Sequence, residues 1–272
     1  MTTSPPANRS SSPQPTPLTP SISTPSSTPA SLTPTSFPTI YTSISHTYET
    51  FFSQDPGLHT FLTSTITLLP PSSQILDLGS GTGRPVASTL SAAHHHVFGL
   101  DFSASMVAVS RDSVPSATFV VGDMRSFDVL SLLSSGETFD AVYSILSLFT
   151  LSRPELEVMG GKWKSWVKKG GLLCICTIAA DDVCAKEGVE GEGEGEGNDT
   201  GLYDDDGLCV RGVKGRFMGH EVQTTLFSKE GWRWLLRSNG FEVVSERGDT
   251  YRPPVEADSD VEMHWFLVAR RV

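Results

Sequence analysis

Three glycines at alternate positions, Gly79, Gly81 and Gly83, stand directly behind a short apolar run that ends in Asp77-Leu78, within the stretch ILDLGSGTGR. A buried parallel strand that turns sharply into a helix has this pattern. Glycine there permits positive φ and removes Cβ atoms, so a ligand can lie against bare backbone. A dinucleotide pyrophosphate asks for G-x-G-x-x-G/A, and the last small position of that pattern is occupied here by Arg84. Asp77, two residues before the first glycine, suits a ligand that carries an ammonium and a sulfonium, because opposite charges attract in a partly dry crevice.

Further acids follow at the ends of later strands. Val97 to Leu100 reads as a buried strand ending in Asp101-Phe102, and an acid at that place accepts hydrogen bonds from both hydroxyls of a ribose. Phe102 and Met106 supply apolar contact for a base. Ala117 to Val121 is a third strand, closed by Gly122-Asp123-Met124-Arg125; Phe139 to Ser144 is a fourth. Taken in this order, D-x-G-x-G-x-G after the first strand, Asp101 after the second and Gly-Asp-Met after the third resemble the class I S-adenosylmethionine-dependent methyltransferases. The resemblance runs from about Thr39 to Val272, the acidic stretch after the fifth strand excepted.

That resemblance implies S-adenosylmethionine as cofactor. It implies a site built from Asp77, Gly79, Ser80, Gly81 and Gly83 at the glycine turn, from Asp101, Phe102 and Met106 behind the second strand, and from Asp123, Met124 and Arg125 behind the third. Asp123 would take the adenine amino group, Ser144 would close the fourth strand, and Tyr48 would cap the cofactor from a helix ahead of the first strand, with Tyr41 the second choice. Methyl transfer is a direct displacement, so most catalysis can come from alignment in a desolvated cleft. A general base is needed only for a hydroxyl or protonated amine. His220 and His46 are the candidates, with Glu221 and Tyr48 as alternatives.

The acceptor is expected to be a small molecule methylated on O, N or S. No Asn-Pro-Pro-Tyr segment follows the fourth strand, and the apolar run Ile145, Leu146, Leu148 and Phe149 is expected to face a small, partly hydrophobic substrate. Two other readings stand beside this one. A nicotinamide oxidoreductase is disfavoured by Arg84 and Asp77; a non-catalytic S-adenosylmethionine-binding or scaffold protein is not distinguished by motifs alone.

The elements that must position these residues can be read from the pattern. The fold expected is α/β, a Rossmann-like seven-stranded sheet in the order 3-2-1-4-5-7-6 with strand 7 antiparallel and helices on both faces. Helices are expected across YTSISHTYETFF and on to Leu69, from Pro85 to Ala93, from Pro154 to Lys169 with an interruption at Gly160-Gly161, and after Ser228. LLCICTIA reads as strand five, GRFMGHEVQTTLFS shows strand-like alternation, and Phe241 to Ser245 and Val261 to Ala269 are strands six and seven.

Residues 1–38 contain 28 Ser, Thr or Pro and read as a disordered tail, leaving 39–272 as the methyltransferase domain. The formal charge of −11 is concentrated: residues 181–206 hold eleven acids and one lysine, so 181–208 reads as an acidic disordered insert and the remaining body is nearly neutral. That balance offers no basic stripe for nucleic acid, and no run is apolar enough for a membrane span. Four cysteines without metal spacing read as thiols of a reducing, cytoplasmic compartment, and no metal site is expected. Oligomeric state is not legible.

Overall fold

Strand character follows from apolar runs that are buried on both faces, as parallel strands between helix layers must be. The computed structural model describes residues 1–3, 37–45, 47–184 and 202–272. Strands β1 (Gln74–Leu78), β2 (His96–Asp101), β3 (Thr118–Val121), β4 (Phe139–Ile145) and β5 (Val167–Ile178) run parallel, and β10 (Glu262–Arg271) pairs antiparallel with both β5 and β9 (Phe241–Tyr251). The sheet order is β3-β2-β1-β4-β5-β10-β9, which is the expected order with the last two strands renumbered.

The renumbering comes from a second sheet. Strands β6 (Leu202–Tyr203), β7 (Cys209–Phe217) and β8 (His220–Phe227) form a three-stranded antiparallel unit between β5 and the last helix. The alternation in GRFMGHEVQTTLFS is therefore a hairpin of its own, with Phe217 paired to His220 at its tip.

Side chains alternate across the main sheet into two cores. One packs Leu76, Leu78 and Val142 against α6 (Arg153–Trp166) and α8 (Lys229–Ser238), where the Trp163 and Trp232 rings stack 6.5 Å apart. The other packs Ile75, Val97, Ala141 and Tyr143 against α3 (Pro56–Ile66), α4 (Val86–Ala92) and α5 (Ala104–Ser113). The result is three layers, helix, sheet and helix.

Several expectations are corrected. Helix α6 runs unbroken through Gly160-Gly161, because Gly160 serves a close approach: a Cβ there would meet Asn239 Nδ2 at 2.5 Å and Leu235 Cδ1 at 3.1 Å. The N-terminal helical region is three pieces, α1 (Phe37–Ile44), α2 (Tyr48–Phe52) and α3, the last opened by Asp55, whose carboxylate accepts from Gly57 N at 2.8 Å. The expected tail lies outside the described residues except at its ends, and α1 begins within it at Phe37.

Of the expected insert, residues 185–201 lie outside the described residues, but its flanks are ordered. Ala180–Cys184 forms α7, and Asp204 and Asp206 both accept from Arg153, at 2.8 Å and 2.5 Å, while Glu157 takes the Arg153 Nε at 2.9 Å. Clustered acids look like a solvated run in sequence; here a half-buried arginine on α6 gathers them. We expect Arg153→Ala to lower stability by roughly 1–3 kcal/mol and to speed amide exchange at Leu202–Tyr203 ahead of β5. Thermal unfolding and hydrogen exchange measure both, and unchanged exchange would separate the acidic flank from this anchor.

Candidate active site

The turn after β1 is fastened by its backbone. Gly79, Gly81 and Gly83 have φ of 70°, 51° and 78°, a region open to glycine and costly for other residues. Gly79 N and Ser80 N donate to Leu100 O at 2.8 Å and 3.1 Å, and Gly81 N donates to Asp101 Oδ2 at 2.9 Å. The other Asp101 oxygen accepts from Ser103 N at 2.8 Å, and Ser103 caps α5. One carboxylate at the end of β2 thus ties the glycine turn to the start of the next helix.

A cavity of about 500 Å³ opens above this junction, a size suited to a cofactor. Of the residues expected at the site, Tyr48, Asp77, Gly79, Ser80, Gly81, Asp101, Phe102, Met106, Asp123, Met124 and Arg125 line it. Gly83 does not line it; a Cβ there would meet Phe119 at 2.9 Å, so this glycine serves packing of the turn. Ser144 is fully buried in β4 and holds Ser147 through an Oγ–Oγ contact of 2.8 Å. It is Ser147 that lines the cavity, and its hydroxyl donates to Leu78 O at 2.9 Å.

Of the two histidine candidates, the one described is not brought into the cavity. His220 opens β8 at the hairpin tip and is not among the lining residues, and His46 lies outside the described residues. The apolar run after β4 divides: Ile145 and Leu146 line the cavity, Leu148 is buried in the core, and Phe149 faces a second cavity. Asp123 borders the cavity with its acceptor positions engaged. Arg125 grips it through Nε at 2.9 Å to both oxygens and through a second nitrogen at 2.6 Å, and also reaches Glu155 at 3.0 Å. The Arg125 hydrogen bond holds the Asp123 carboxyl below its usual range.

Asp77 is the opposite case. It is 1% exposed, and its Oδ2 has no hydrogen-bond partner, as have neither Ser80 Oγ nor Thr82 Oγ1 beside it. Burial first, and repulsion from Asp101 second, push its pKa up to about 8. An unpaired buried carboxyl at the mouth of a glycine turn is costly unless a ligand supplies the partner. Gly81 meets nothing within 4 Å of where a Cβ would stand, so the turn has room for one. Orphaned polar atoms and open backbone together fit a ligand with a cationic amino-acid end.

Reasoning from sequence missed Asp55 and His264. Asp55 lines the cavity, and its Oδ2 lies 2.8 Å from His264 Nδ1, while His264 Nε2 lies 2.7 Å from Glu262 Oε2. The imidazole is 1% exposed and stacks on Tyr251 at 5.5 Å. Burial pulls its pKa down, but the hydrogen bonds to the two carboxylates outweigh this and lift it to about 9. No motif marks the trio, since Asp55 lies 209 residues from His264.

A sheet with helices on both faces and a ligand cavity across the carboxyl ends of its first strands is the architecture of the class I methyltransferases. A family profile described as "Methyltransferase domain" matches residues 75–171. Phosphoethanolamine N-methyltransferase 1 of Zea mays is 29% identical over 113 residues, which are 40% of this chain and 22% of that protein. An uncharacterized methyltransferase of Anoxybacillus flavithermus is 27% identical over 45% of this chain and 55% of its own length. The chain spans less than two thirds of either curated relative.

Among solved structures, magnesium protoporphyrin IX methyltransferase from Synechocystis, with bound S-adenosylhomocysteine, superposes with a TM-score of 0.51 at 17% identity, covering 79% of this chain and 80% of that one. The likeness in that case is one of fold. Residues 75–171 thus match a methyltransferase domain, set in a sheet of the Rossmann-like order.

The His264 pKa carries a consequence for stability. A group whose pKa is higher in the folded than in the unfolded chain stabilises the fold fully below its unfolded value, near 6.5, and loses that contribution as pH rises through about 9. We expect the wild-type unfolding free energy to fall by on the order of 3 kcal/mol between pH 7 and 10. His264→Gln should be less stable at pH 7 and lack this slope; a wild-type protein with a flat profile to pH 10 would contradict the charged trio.

Proposed function

We propose that this chain transfers the methyl group of S-adenosylmethionine to a small-molecule acceptor, on O, N or S. The observation that carries the reading is the buried Asp77 Oδ2 at the glycine turn, which lines the cavity and has no hydrogen-bond partner among the described residues. When bound, the cofactor supplies a methyl carbon made electrophilic by a positively charged sulfur. Asp77 would meet its ammonium, and the remaining lone pairs of Asp101 would accept from its ribose. Phe102, Met106 and Met124 would flank the adenine, and Tyr48 would cover the cofactor.

Arg125 takes the acceptor positions of Asp123 through its backbone amide and its guanidinium, so the adenine amino group would meet Asp123 where Arg125 yields one of them, and Arg125 acts as its positioning residue. The aromatic wall of Tyr41, Tyr48 and Phe52 keeps water from the reacting atoms, which strengthens every charge interaction inside. Among the described residues the lining contains no histidine. This supports catalysis by alignment and desolvation, with an acceptor that arrives reactive or gives its proton to an acid of the wall.

A small acceptor is supported by the names of the similar proteins, which concern phosphoethanolamine and a magnesium protoporphyrin, and by the nearly neutral body. Neither nucleic acid nor membrane belongs to this reading; among the described residues no helix is long and apolar enough to cross a membrane. A cytoplasmic location is supported by three buried free thiols, Cys174, Cys176 and Cys209.

Titration calorimetry with S-adenosylmethionine tests the cofactor site: we expect micromolar binding, reduced at least about tenfold in Asp101→Ala, because the variant loses both the ribose acceptor and the brace of the glycine turn. Failure of the wild-type protein to bind would end the proposal. Binding without methyl transfer to any metabolite of a broad panel would instead favour a non-catalytic cofactor-binding protein.

Asp77 gives a second expectation. A cation at this site favours the ionised carboxyl, so affinity for S-adenosylmethionine should rise as pH rises from 6 towards about 8, with proton release on binding at pH 7. Asp77→Asn should bind more weakly at pH 8 and lose the protein's share of that proton release. Equal release by wild type and variant would show that Asp77 does not meet the cofactor's charge.

A further inference from the structure

A second cavity of about 350 Å³ lies outside the glycine-turn site. The β7–β8 hairpin gives it Val213, Phe217, Val222 and Leu226, the end of β5 gives Ile178, and the start of β10 gives Glu262. It is separated from the first cavity by one layer of rings. Phe37 lines both cavities, with its ring 6.1 Å from that of Phe149. Phe217 lines the second and packs on Tyr41, Tyr48 and Phe52 at 6.0, 6.4 and 5.4 Å, three rings that line the first.

A polar connection runs through the same partition. Asp55 belongs to the first cavity and Glu262 to the second, and the buried His264 bonds to both. The imidazole occupies one Glu262 oxygen, whereas a carboxylate offers about four acceptor positions. Lys214, Arg216 and Asp260 also line this cavity but are exposed and stand at its rim, where Arg216 is paired with Asp258 at 2.6 Å. Asp182, on the far wall, is neutralised by Lys229 at 2.7 Å. Two carboxylates around one imidazolium keep a net negative charge, and Glu262, with a side chain only 14% exposed, presents it to the second cavity.

We propose that this second cavity is the acceptor chamber and that it selects an apolar molecule carrying an amine, which Glu262 receives, while the end to be methylated passes the Phe37 ring into the first cavity. This rests on the methyl-transfer reading above. A cationic amine satisfies Glu262 and leaves the Val, Ile, Leu and Phe side chains to bury its apolar body. An alcohol forfeits the charge pair, and a carboxylate adds repulsion. Phe37 is the first residue of α1, where a helix is held by the fewest hydrogen bonds, so its ring can move without breaking the fold.

The test uses the full chain saturated with S-adenosylhomocysteine and three probes of one shape: phenethylamine, 2-phenylethanol and 3-phenylpropionate. We expect phenethylamine to bind about tenfold more tightly than 2-phenylethanol and 3-phenylpropionate to bind most weakly. Thr224→Trp, which fills the chamber from β8, should abolish phenethylamine binding while S-adenosylhomocysteine titrates unchanged. Glu262→Gln, checked for folding by circular dichroism, should bring amine and alcohol to equal affinity. Equal binding of amine and alcohol by the wild-type protein, absence of phenethylamine binding, or its survival in Thr224→Trp overturns the proposal. Failure of the wild-type protein to bind S-adenosylhomocysteine, with the probe preference intact, would overturn the cofactor reading and with it the acceptor role, leaving an amine-binding cavity.

Discussion

The interaction on which the rest of the site depends is the grip of β2 on the turn that follows β1. Leu100 O and the Asp101 carboxylate accept from three consecutive backbone amides, Gly79, Ser80 and Gly81, and so fix two left-handed glycines that would otherwise be free to take many conformations. Because the parallel register pairs Leu78 with Leu100, any slip between these strands would carry the carboxylate away from the turn. Burial of both strands by helices on either face removes that freedom. The same contacts leave Asp77 facing a cavity without a partner, so core packing and an unsatisfied charge are two results of one arrangement.

Two buried acidic systems meet this cavity and differ in kind. Asp77 is buried with one oxygen unpartnered, and burial raises its pKa; for Asp55 desolvation is the largest single influence, but the hydrogen bond and charge of His264 and the amides of Gly57 and Leu58 together outweigh it and lower its pKa. A charge left without a partner weakens the free protein and creates demand for a ligand, whereas a charge enclosed between hydrogen-bonding groups contributes to the fold. The first belongs to recognition and the second to the wall. Asp123 falls between them, paired with Arg125 at the surface yet still at the cavity edge.

The second sheet gives this fold its individual character. It is anchored at one end by Arg153, which collects Asp204 and Asp206, and packed at the other through Phe217 against the aromatic rings of α1 and α2. Those contacts join segments far apart in the chain: the N-terminal helices, the hairpin and the start of β10. The walls around the second cavity come from these late additions, which is why chambers of the same core fold can differ so much in what they accept.

The parallel sheet, its strand order and the glycine turn were legible because they rest on local pattern: apolar runs of strand length, glycines at fixed spacing and an acid after each strand. Much of the cavity lining was legible for the same reason, since strand ends converge on one edge of such a sheet. Tertiary structure decided the rest. It kept α6 continuous through Gly160-Gly161, because a close-packed Asn239 makes glycine the residue that fits, and it replaced Ser144 by Ser147 at the cavity because β4 turns its serine inward. It kept His220 out of the cavity and brought His264 to Asp55 across more than two hundred residues, by antiparallel pairing of β10 with β5. Local sequence determines which segments become strands and turns; which buried groups find one another depends on packing and dielectric, and these exist only once the chain has closed on itself.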